Sequence, residues 1–88
     1  MRTIHKYVLS PDKLNIEMPL GAIVISVDEQ YGKICLWAEV DPDKTTTTRY
    51  FQVYGTGHTI NAVNQSFIGT VKLNGGQLIF HVYELGVM

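Results

Sequence analysis

Eighty-eight residues, 45% of them hydrophobic and 17% charged, suit one folded domain with room for one modest core. That balance excludes disorder and predicts a weakly charged surface prone to self-association. Seven basic against eight acidic side chains leave a formal charge of -1, so no long-range field draws the chain to a polyanion and nucleic-acid binding is disfavoured.

In chain order the pattern is one of short extended segments. Thr3 to Leu9 reads as a strand, stopped by Ser10-Pro11-Asp12-Lys13, where Pro and Asp favour a turn. Leu14, Ile16 and Met18 alternate with Asn15 and Glu17, the period of a half-buried strand, before Pro19-Leu20-Gly21 interrupts. Ala22 to Gln30 places Ile23, Ile25 and Val27 on one face, and Tyr31-Gly32 turns the chain into Lys33 to Val40. There Ile34, Leu36, Ala38 and Val40 share a face, with Lys33, Cys35, Trp37 and Glu39 on the other. After the polar loop Asp41-Pro42-Asp43-Lys44, Thr45 to Tyr54 resumes the pattern with four consecutive threonines, whose branched Cβ atoms favour extension. Gly55 to Gln65 departs from it: Ile60 and Val63 at a spacing of three predict a single helical turn capped by Thr59. The chain closes on Phe67 to Leu73, Asn74-Gly75-Gly76 and Gln77 to Leu85, a hairpin signal, because Asn and Gly tolerate the positive φ of a tight turn.

Seven strands joined mostly by hairpins imply a small antiparallel sandwich or partly closed barrel with one short helical turn, spanning residues 1–88 as a single domain. Its expected core is Ile23, Ile25, Val27, Ile34, Leu36, Val40, Phe51, Val53, Leu78, Phe80 and Val82.

Candidate chemistry centres on Gly55-Thr56-Gly57-His58, where backbone amides of a glycine-rich turn can cradle an anion and His58 can donate to it. The simpler reading is a sharp reversal with a surface histidine. The turn is not a phosphate-loop fingerprint, since the Lys-Ser/Thr ending is absent. His5, His58 and His81 stand in no short ligand motif and Cys35 supplies only one thiolate, so no metal site is expected. His5, His81 and Glu84 would converge only if the first and last strands paired. Cys35 cannot form an internal disulfide and reads as a small buried hydrophobe. Asp28, Glu29, Glu39, Asp41 and Asp43 read as an acidic solvated edge. No catalytic residue and no cofactor is expected, because so short a chain leaves little material for a cleft flanked by paired carboxylates.

The aromatic residues are more suggestive. Tyr7, Trp37, Tyr50, Tyr54, Phe80 and Tyr83 do not fit one inward register, and Trp37, Tyr50 and Tyr54 are the candidate interface residues, combining apolar area with a hydrogen-bonding tip. Lys6, Lys33, Arg49 and Lys72 could supply a basic face if they converged.

Thr3 to Tyr7, Met18 to Ala22, Leu36 to Pro42, Tyr54 to His58 and Gly75 to Glu84 together resemble a family of small uncharacterised phage and bacterial proteins. Its last motif more often ends in Phe-Glu, where this chain has Tyr83-Glu84. The resemblance implies a phage-like context, in which such proteins bind and block a host protein or serve as structural accessories. The expected function is therefore that of a non-catalytic, phage-encoded, homodimeric binding protein that engages a host or phage protein by steric cover. The alternative is a small-ligand or nucleotide-binding domain using Gly55 to His58. No basic segment followed by an apolar one marks a signal peptide, and no apolar run is long enough to cross a bilayer, so the expected setting is the cytoplasm of the infected or lysogenic bacterium.

Overall fold

The computed structural model describes residues 1–61 and 63–86. These residues form seven strands: β1 (Thr3–Leu9), β2 (Asn15–Pro19), β3 (Ile23–Gln30), β4 (Lys33–Val40), β5 (Thr46–Gly55), β6 (Gln65–Leu73) and β7 (Leu78–Leu85). They form two antiparallel sheets, β1-β4-β3 and β2-β5-β7-β6, so the architecture is a sandwich and not a closed barrel. Among the described residues, only β3–β4 and β6–β7 are hairpins between paired neighbours. The links β1–β2, β2–β3 and β4–β5 cross between sheets, a correction to the hairpin-dominated connectivity read from the sequence: each strand alternates well enough to pair with anything, and only the closing of a common core selects the partner.

Both hairpins rest on left-handed backbone. Tyr31 (φ 55°) and Gly32 (φ 77°) form a two-residue turn whose twist matches that of the strands. Asn74, Gly75 and Gly76 (φ 53°, 67° and 91°) form a short 3-10 turn between β6 and β7. This is the one helical turn among the described residues; Thr59 to Asn61 and Val63 carry none, and Ala62 lies outside the described residues. Ile60 and Val63 are both exposed there, since two apolar side chains have too little area to hold a turn against a sheet already covered by its own residues.

The core lies between the sheets. Leu36, Ala38 and Val40 of β4 and Leu9 of β1 meet Ile16 and Met18 of β2, Phe51 of β5, Val71 of β6 and Val82 of β7. Val27, Ile34 and Val53 pack against them, and Phe80 is half-buried. Three members of the expected core are exposed instead, two of them because they point outward. The β3–β4 register shifts between Val24 and Ser26, so Ile25 is an extra residue: Val24 and Val27 face inward, while Ile23 and Ile25 turn to solvent. Leu78 keeps its inward parity opposite Leu73, yet remains 48% exposed because the sandwich gapes at that point. A second bulge lies between Phe67 and Gly69 of β6, and the two bulged strands approach so closely that a Cβ added at Gly69 would lie 2.6 Å from Val27 Cγ1.

Candidate functional site

The outer face of β1-β4-β3 has Trp37 at its centre. Its cross-strand partners are Lys6 on β1 and Ser26 on β3. The rows on either side carry Ile4, Glu39 and Ile23, then Val8, Cys35 and Asp28. Ile4 is 57% exposed, Ile23 54% and Ile25 50%, with Trp37 half-buried among them. Cys35 is buried although its parity is outward. Lys6 Nζ donates to Gln30 Oε1 at 2.7 Å, so the lysine stem crosses β4 over the Cys35 row. Arg2 Nε donates to Glu39 Oε1 at 2.7 Å and closes the patch at one end.

Tyr50 and Tyr54 project from the outer face of the other sheet and do not share a surface with Trp37. Tyr50, opposite Asn15, is 50% exposed. Tyr54 is only 8% exposed: its hydroxyl donates to Gln65 Oε1 at 3.2 Å and its ring meets Tyr83 edge-on at 5.5 Å, while Tyr83 meets Phe67 at 5.3 Å.

Gly55 to His58 follow β5 as a turn closed on itself. His58 N–H donates to Gly55 O, and the Gly55 amide donates to His58 Nδ1, each at 3.1 Å. The Gly55 amide is thereby engaged within the turn, and the accepting Nδ1 leaves the ring proton on Nε2. The ring sits so close that a Cβ at Gly55 would lie 2.8 Å from it. Thr56 Oγ1 lies 2.9 Å from His81 Nε2 and Thr70 Oγ1 lies 3.0 Å from His81 Nδ1, so His81 ties this turn to β6.

The remaining candidates are dispersed. β1 and β7 lie in different sheets, which separates His5 from His81, and no three His, Cys, Asp or Glu side chains are grouped as metal ligands among the described residues. Lys6 and Lys33 belong to the outer face of the first sheet, Lys72 to that of the second, and Arg49 points between the sheets, so the four basic residues do not converge.

Arg49 and Glu84 form the polar feature that the sequence reading did not single out. Arg49 Nε and Nη2 donate to the two Glu84 oxygens at 2.5 and 2.9 Å, and Nη1 donates to Ala22 O at 2.7 Å. The bond to Glu84 raises the Arg49 pKa further above its ordinary value, against the opposing effect of burial. Tyr7 is also raised, by burial, with the nearby Arg49 charge opposing. A hollow of about 340 Å³ between the two bulges reaches this pair. The signal was available: Arg49 shares the parity of Phe51 and Val53, and Glu84 that of Phe80 and Val82, so each charge falls at a core position and needs a partner.

A family model described as a domain of unknown function, DUF7352, matches residues 1–87. The chain belongs to the DUF7352 family. No curated protein and no solved structure matches it. The DUF7352 description names no activity, so any functional reading rests on this chain's own surfaces.

Proposed function

We propose that this DUF7352 domain is a non-catalytic binding protein, phage-encoded and acting in the bacterial cytoplasm, whose working surface is the outer face of β1-β4-β3. The carrying observation is that Ile4, Ile23 and Ile25 stand exposed around Trp37 on one sheet face. Isolated exposed apolar residues are ordinary, but a contiguous group with an aromatic centre and a charged rim has the composition of a recognition surface. The bulge at Ile25 supports this reading, because without the extra residue Ile23 would share the inward parity of Val27.

Three strands spaced about 4.8 Å apart and seven or eight residues long present a plane of roughly 14 by 26 Å, well under the ~800 Å² per partner of a standard stable interface. Self-association through this face is therefore weak and transient, and a host or phage protein that also reaches the rim gains more. The mechanism is steric cover of that partner's surface.

The test is capture from bacterial lysate on immobilised wild type and on Ile25→Glu, a change at an exposed position that leaves the core intact. Proteins retained by wild type and lost from the folded variant support the proposal. Equal retention by both removes this face from the function.

A further inference from the structure

Among the described residues, β1 and β2 are each hydrogen-bonded on one side only, to β4 and β5 respectively. At the opposite margin β3 lies against β6, so the sandwich is shut there and gapes here. A cleft of about 1070 Å³ enters from the open margin, floored by Leu9, Leu14, Ile34, Val53, Leu73 and Phe80. Lys13 on the exposed 10–13 turn lines its mouth, while Lys6, Lys33 and Glu17 border it from strand positions whose side chains lie on the outer faces of the two sheets.

We infer that this cleft is a second binding site, separate from the Trp37 face, that takes an extended segment of a partner protein with apolar residues at alternate positions and an acidic residue beside Lys13. Three features converge on that occupant. A free strand edge offers a row of N–H and C=O groups that another extended backbone satisfies in register. Such a segment turns every second side chain to one side, which suits an apolar floor running beneath the edge. The Lys13 ammonium at the mouth favours an acidic residue where the segment emerges. β1 is the better of the two edges: its seven residues carry neither a proline nor a bulge, whereas β2 has five and ends at Pro19.

The probe is a fluorescein-labelled peptide of about ten residues in which valine and leucine alternate with threonine and aspartate. Its two controls are the same peptide N-methylated at every second residue and, separately, oleate. Anisotropy measures affinity, and amide hydrogen exchange reports on Thr3 to Leu9. Saturable binding is expected, weakened about tenfold or more by N-methylation, by Leu78→Glu at the half-open mouth and by Lys13→Glu on the exposed 10–13 turn, with slowed exchange along β1. Lys13→Glu keeps the test valid should Leu78→Glu unfold. Ile25→Glu leaves the peptide affinity unchanged, which separates this site from the one proposed above. Absence of peptide binding overturns the inference, as does binding indifferent to N-methylation or to Lys13→Glu. Oleate binding in place of peptide binding also overturns it, and makes the cleft a site for an apolar amphiphile.

Discussion

Removing one member of the Arg49–Glu84 pair separates the energetics of a buried ion pair from those of its parts. Arg49→Met leaves the Glu84 carboxylate facing the core and also strips the Ala22 carbonyl of its donor. Breaking a fully buried pair typically costs about 3–5 kcal/mol. Here the side chains keep 21% and 12% of their exposure, and the hollow between the bulges brings water near. The expected loss is therefore about 2–3 kcal/mol, which a domain holding roughly 5–10 kcal/mol survives folded. Arg49→Met combined with Glu84→Leu removes both charges and fills the space with apolar volume, so the double variant should return to within about 1 kcal/mol of wild type, the remainder being the orphaned Ala22 carbonyl. Urea unfolding followed by circular dichroism reads this as a midpoint shift of roughly 2–3 M for the single variant, given a slope near 1 kcal/mol/M for so small a domain. An Arg49→Met midpoint equal to wild type, or a double variant as unstable as the sum of both singles, would refute the placement of the pair.

Leu36→Ala, at a fully buried position between Tyr7 and Val27, should cost about 3–5 kcal/mol, while Ile25→Ala on the neighbouring strand stays within about 0.5 kcal/mol; chemical denaturation of the two side by side checks the bulge assignment. Gly69→Ala forces its methyl against Val27 and should lose about 1–3 kcal/mol, with Val27→Ala in the same chain recovering part of it; comparable thermal midpoints for Gly69→Ala and wild type would deny the close approach of β3 and β6. Burial raises the Tyr7 pKa above 10.0, so the folded state holds that proton more tightly than the unfolded one, and the associated stability is present below pH 10 and lost as pH rises through the folded value. Tyr7→Phe should flatten this alkaline fall in urea midpoint, and an unchanged fall would place its origin elsewhere.

Strand periodicity made most of the fold legible. β1 and β4 have the boundaries read from the residues, and Asn74-Gly75-Gly76 adopts the positive φ angles its composition allows. What escaped was non-local or lacked a residue signature. Val24, Ile25 and Ser26 contain no glycine, so nothing in them announces the bulge that sends Ile23 and Ile25 outward. The pairing of β1 with β4 depends on closing a core between distant segments, and local alternation does not encode it. Of the candidate interface residues, Trp37 was placed correctly on the outward parity of β4. Tyr50 and Tyr54 shared its chemistry but stand on the other sheet, which no property of the individual residues reveals. Arg49 and Glu84 were legible by parity alone, as charges set into alternating apolar runs.

Sedimentation equilibrium measures most directly whether the Trp37 face binds protein. Wild type should show a reversible monomer–dimer equilibrium across tens to hundreds of micromolar, the range expected of so small an interface. Ile25→Glu and Trp37→Glu should sediment as monomers while keeping the strand signal in circular dichroism. A wild type that stays monomeric throughout, or a dimer untouched by either folded variant, would contradict the assignment of that face.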